Sequence, residues 1–133
     1  MEVYLNGCRN SPKYRQGEWC VLEHSSCGLV SSLLIHKFKS DEYGIGSIAT
    51  PLEMRKNGWA SFLIESVLES LEKDRKANVV YLYSDINPEF YRRFGFVVLP
   101  ENLQKCQDSV CMVRFKKDSK KTMIDNLQPP TYF

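Results

Sequence analysis

Apolar and polar positions change period several times along the 133-residue chain, and each change marks an element. From residue 59 to about 75, Trp59, Phe62, Leu63, Val67 and Leu71 recur at steps of three and four, with Ile64 and Leu68 beside them. That spacing predicts a helix with one buried face, and Glu65, Glu69, Glu72 and Lys73 fall on its wet side. Residues 79–84 (VVYLYS) are almost continuously apolar, as in a strand covered on both faces. Upstream, β-branched Ile45, Ile48 and Thr50 predict a strand over 43–50. Two glycines inside it, Gly44 and Gly46, point to close approach by another group. Pro51 ends that strand, and a polar loop runs to Asn57-Gly58. Residues 43–84 therefore form a predicted strand–loop–helix–strand unit, right-handed, with its strands parallel.

The flanking signals are shorter. Residues 18–23 and 29–38 predict two strands joined by the turn HSSCG, and Ser31-Ser32 break the alternation in the way a bulge would. KSDE, 39–42, is a charged turn. Residues 1–17 hold Gly7, Asn10, Pro12 and Gly17 and predict an irregular segment. Asn87-Pro88 predicts a helix start, since Asn caps and Pro fits the first turn. Gly95 stops that short helix after PEFYRRF. FVVLP (96–100) and 109–115 are further predicted strands, separated by a loop. The tail, 116–133, opens with four lysines in six residues and later carries Pro129-Pro130. It predicts an exposed or loosely docked end to a single domain spanning 1–133.

Composition narrows the function classes. With 18 basic and 16 acidic residues the net charge is +2, too small an excess for a nucleic-acid binder. The five cysteines are odd in number, no Cys-x-x-Cys pair occurs, and MEVYLNGCRN lacks the charged head and apolar run of a secretion signal. Reduced thiols in a cytoplasmic protein are the simpler expectation. His24 and His36 are not spaced as metal ligands, so no metal is expected. No apolar run approaches the roughly 20 residues of a membrane span.

The chemistry concentrates at Arg55-Lys56-Asn57-Gly58-Trp59-Ala60. A strand enters this turn and an amphipathic helix leaves it. The first amides of a helix lack internal partners, and the dipole there is positive. Gly58 can adopt backbone angles that other residues resist and offers no side chain to block an anion. Arg55 and Lys56 add charge, and small Ala60 keeps the helix start open. The turn suits a pyrophosphate, although neither the P-loop pattern nor the Gly-x-Gly-x-x-Gly fingerprint is present.

The stretch from Ile48 to Ser61 (IATPLEMRKNGWAS) resembles the central motif of the GNAT superfamily of N-acetyltransferases, Arg/Gln-x-x-Gly-x-Gly/Ala between a strand and a helix. Arg55, Gly58 and Ala60 fill its defining positions. NPEFYRRFGF, residues 87–96, is similar to the family's next motif, an aromatic-Tyr pair three residues before Gly-Phe. The resemblance covers about residues 18–115. It implies an α/β sandwich around a mixed, mostly antiparallel sheet, splayed at its central strands, with helices on both faces. It implies transfer of an acetyl group from acetyl-CoA directly to an amine, on a small molecule or a peptide. The pantetheine arm would pair with Ile48, Ala49 and Thr50. The pyrophosphate would rest on the turn formed by Arg55, Lys56, Asn57, Gly58, Trp59, Ala60 and Ser61, with Asn87 and Phe90 completing the cofactor side. Tyr91 matches the tyrosine that protonates the leaving thiolate, and its reference pKa of about 10 suits a proton donor. Glu53, Asp85 and His36 are candidates for the amine's proton acceptor, none singled out by spacing. The one departure is the N-terminal side, where the family's acceptor-pocket helices have no counterpart in the 17 residues before the first predicted strand. The acceptor side is then open, or supplied by the tail or by a partner chain such as a homodimer's second copy. The alternative activity is an acyl-CoA-binding sensor or assembly module without turnover.

Overall fold

The computed structural model describes residues 3–10, 17–26, 28–52, 55–116 and 127–133. Seven strands make one sheet: β1 (Val3–Asn10), β2 (Gly17–His24), β3 (Gly28–Lys39), β4 (Glu42–Ala49), β5 (Val79–Ser84), β6 (Val97–Val98) and β7 (Val110–Phe115). Their order across the sheet is β1-β2-β3-β4-β5-β7-β6. Among the described residues only β4 and β5 pair in parallel, and α1 (Trp59–Lys73) is the crossover between them. The remaining pairs are antiparallel. A second, one-turn helix α2 (Glu89–Arg92) follows β5, and Gly95, at φ +90°, turns the chain toward β6.

The helical stripe buries as its spacing requires. Leu63, Ile64, Val67, Leu68 and Leu71 are the buried face of α1. They join Leu33, Ile35, Ile45, Val80, Leu82 and Met112 in the main core, where Tyr91, Phe94 and Phe96 close the α2 end. Each such aliphatic side chain contributes on the order of 2 kcal/mol by leaving water. The half-buried Trp59 ring lies 5.8 Å from His24, which ties the start of α1 to β2. The opposite face of the sheet presents Tyr81, Tyr83, Cys111 and Val113 to a smaller cluster that includes Leu99, Leu103 and Phe133.

Several expectations change or sharpen here. Residues 3–10 are not irregular: they form β1 and pair with β2. The register shifts between Leu5 and Cys8, so Gly7 marks a bulge inside a strand. Among the described residues α1 and α2 share one face of the sheet, and the other carries the short 3-10 helix Glu101–Leu103 and residues 127–133. The tail is docked over 127–133, with Pro129 buried, because its aromatic and proline residues find the apolar face that α1 and α2 leave. The bulge expected at Ser31-Ser32 falls one residue earlier, where β3 slips by one against β2 at Val30.

Two irregularities of β4 prepare the site. Ser47 has φ +49°, and between the pairs Leu34↔Gly46 and Ser32↔Ala49 the strand carries one extra residue. On its other side β4 meets β5 for three pairs only, ending at Gly44↔Tyr81. Beyond that pair the two central strands part.

Candidate functional site

The turn after β4 is built around left-handed backbone. Lys56 has φ +68°, and Gly58, at φ +78° and ψ +11°, is the residue from which α1 starts. Among the described residues no side chain caps α1, and no acidic residue lies in its first turn. Its opening amides are therefore left to an external acceptor at the positive end of the dipole. Arg55 Nε donates to Thr50 O at 3.2 Å, pinning the loop to the strand end. Asn57 Nδ2 donates to Arg55 O at 3.3 Å.

A cleft of about 190 Å³ opens here, lined by Thr50, Arg55, Lys56, Gly58, Trp59, Ala60, Ser61, Phe90 and Arg93. Eight of the expected cofactor residues meet in it. Arg93 was not among those expected. Its Nη2 donates to Ser61 Oγ at 2.9 Å, and its guanidinium carbon stands 4.4 Å from the Phe90 ring centre. Three cations and an uncapped helix start thus converge on one hollow, which suits a multiply charged anion. A larger groove of about 610 Å³ along the outer side of α1 is of mixed charge. Ion pairs such as Arg114–Glu72 (3.3 Å) and Lys73–Glu69 (2.6 Å) already satisfy much of it.

Four expected cofactor residues stand outside the lining of the cleft. Ile48 packs against the main core. Ala49 pairs with Ser32, and its carbonyl accepts from Ser31 Oγ at 3.1 Å. Asn57 sits in the turn behind Arg55. Asn87 caps, its Oδ1 accepting from Glu89 N at 3.0 Å. Tyr91 is buried beside Phe90, their ring centres 5.0 Å apart. Burial, and then the charge of Asp85, push its phenol above the ordinary value near 10. Asp85 follows β5 at the parting of the strands and accepts from Tyr132 Oη at 3.1 Å. Ser84 Oγ donates to Ile86 O at 2.7 Å, a strand-end bond. His36 lies away from the cleft on the other face of the sheet, stacked on Phe38. Burial lowers its pKa. Glu53 lies outside the described residues.

Fold and turn together define an α/β protein with a cation-lined helix start beside two central strands that part. A family model for the GNAT acetyltransferase domain matches residues 29–99. The chain belongs to the GNAT acetyltransferase family. Solved structures share the fold at low identity. A GNAT family acetyltransferase from Elizabethkingia anophelis, with acetyl-CoA bound, is 11% identical with a TM-score of 0.67, over 86% of this chain and 97% of that one. An acetyltransferase from Streptococcus agalactiae is 16% identical with a TM-score of 0.61, over 77% and 68%. N-acetylglutamate synthase from Neisseria gonorrhoeae, complexed with coenzyme A and N-acetyl-glutamate, is 16% identical with a TM-score of 0.64, over 80% of this chain and 28% of that one. No curated protein matches the chain in sequence. Among the described residues no helix is long and apolar enough to cross a membrane.

Proposed function

We propose that the chain is an N-acetyltransferase that moves an acetyl group from acetyl-CoA directly to an amine. One observation carries this reading: β4 and β5 part after Gly44↔Tyr81, next to an uncapped helix start lined with cations. The residues present fit coenzyme A. A Cβ placed on Gly58 would meet nothing within 4 Å, so the turn faces open space. The amides of Lys56 to Ser61, with the side chains of Arg55, Lys56 and Arg93, would hold the pyrophosphate. The β4 backbone from Ile48 to Thr50 would take the pantetheine amides. Bound acetyl-CoA supplies a thioester whose thiolate needs a proton on leaving. Tyr91, kept protonated through neutral pH by burial and by Asp85, is suited to give it.

Thermal unfolding with CoA, followed by thiol release from acetyl-CoA over a panel of amines, tests the proposal. Stabilisation by CoA together with amine-dependent release is the expected result. CoA stabilisation without release from any amine would favour the sensor reading, and no stabilisation at millimolar CoA would sink both. Tyr91→Phe is expected to lower kcat by about a hundredfold and to remove the alkaline loss of activity caused by ionisation of its phenol, with CoA affinity unchanged. An unaltered kcat and pH profile would take Tyr91 out of the mechanism.

A further inference from the structure

Residues 127–133 cross the face of the sheet away from α1 and are held at several points. Lys105 Nζ donates to Pro129 O at 2.7 Å and Tyr83 Oη to Pro130 O at 2.6 Å. Tyr132 Oη donates to Asp85. The Phe133 ring then lies edge-on to His36, Phe38 and Tyr83, with centres 4.8, 5.1 and 5.6 Å away. Tyr83 belongs to β5, whereas Phe133 rests on β4. The segment is thus a strap spanning both strands where they part.

β4 is cut to receive it. A Cβ on Gly44 would lie 2.5 Å from Phe133 Cζ and 2.7 Å from Phe38 Cε2. On Gly46 it would lie 3.6 Å from the Phe133 ring. Neither glycine has a positive φ, so space, and not backbone freedom, is what these positions need. A group lying between the parted strands has α1 on one side and this strap on the other.

We propose that residues 127–133 form the acceptor-side wall of the transfer site, and that Phe133 and Tyr132 set which amines reach it. The proposal rests on the transferase reading above. The wall is aromatic, with His36 held toward its neutral form by burial and the carboxylate of Asp85 exposed at its rim. Ring faces and a carboxylate both attract an ammonium group. The Phe133 ring restricts depth at Gly44 and Gly46. The chemistry therefore selects a slender, linear primary amine that arrives as a cation, and rejects one branched next to its nitrogen.

The test compares the parent protein with Phe133→Ala and Tyr132→Phe by CoA affinity, by thiol release from acetyl-CoA in water alone, and by kcat/KM for linear and branched amines. In water alone the water oxygen bonds to the acetyl carbon as the carbon–sulfur bond breaks, giving acetate and free thiol. Phe133→Ala is expected to keep CoA affinity within about twofold and to speed release in water severalfold. It should raise the branched-to-linear ratio of kcat/KM by about tenfold or more. Tyr132→Phe keeps the ring and removes the bond to Asp85, so it should move the ratio in the same direction but less. An unchanged water rate and ratio in Phe133→Ala, with CoA still bound, would overturn the wall. So would a loss of CoA affinity in that variant, because it would place Phe133 on the cofactor side. If the parent binds CoA and serves no amine, the transferase reading fails by itself, and the wall stands or falls on the water rate.

Discussion

Gly58 and Gly44 lie on opposite sides of the same parting of strands and are glycines for opposite reasons. At Gly58 the backbone is left-handed, and an added Cβ meets nothing within 4 Å. At Gly44 the backbone is ordinary, and an added Cβ runs into Phe133 and Phe38. One glycine gives the chain a conformation around empty space, and the other gives space to the chain itself. At Gly58 the added atom would enter open space, and at Gly44 the space is already taken by the chain's own Phe133 and Phe38.

The comparison can be broken at each end. The largest effect is expected at Gly44→Val, where overpacking should cost about 1–3 kcal/mol of stability, read as a lowered thermal midpoint. Combined with Phe133→Ala the cost should shrink; an unchanged cost in that background would mean that the two residues are not coupled. Gly58→Ala comes next, at about 1–2 kcal/mol for a forced left-handed residue, with weaker CoA binding. Gly58→Asn should lose less stability than Gly58→Ala, since Asn tolerates that conformation; equal losses would refute the conformational reason. Arg93→Ala should weaken CoA binding by about fivefold at low salt and by less as salt rises. The smallest effect concerns acid. Burial lowers the folded pKa of His36, so below about 6.5 the unfolded chain binds more protons. This contribution is complete above that pH and is lost as pH falls through the folded value. Denaturant midpoints at pH about 7 and about 5 should differ less in His36→Phe than in the parent, and an identical slope would clear His36 of the effect.

The turn at Arg55–Ala60 and the helix after it were legible in the sequence, whereas the sequence offers the tail only as one of several ways to complete the acceptor side. The α1 stripe announces itself because every buried residue is local and repeats with the helix period. The anion turn is equally local, carried by Gly58 and the charges beside it. Arg93 escaped because its place depends on Ser61, 32 residues away, and on the ring of Phe90. The aromatic-Tyr motif marks Phe90, yet nothing nearby says that a guanidinium three residues on will stack over it. β1 escaped because Gly7 beside Asn6 reads equally well as a turn or as a bulge, and only pairing with β2 decides. Gly44 and Gly46 did signal a close neighbour, but no local pattern names Phe133, 89 positions later, as that neighbour. The lysines that open the tail suggested a solvated end, although its last residues are the most aromatic part of it.

An open sheet ordinarily has two edges, and this one has four. After Gly44↔Tyr81 the strands β4 and β5 exchange no further ladder pairs, although β3 and β7 still pair with their outer sides. Two rows of amides and carbonyls thus face each other in the interior, each row behaving like the rim of a sheet. Exposed rims recruit stray extended chains, which natural proteins usually blunt with charge or cover. A slim ligand with peptide-like amides is the partner such facing rims accept, and binding it would complete the sheet. Saturation with that ligand would then act as a folding and solubility factor for the protein, independent of any acetyl group transferred.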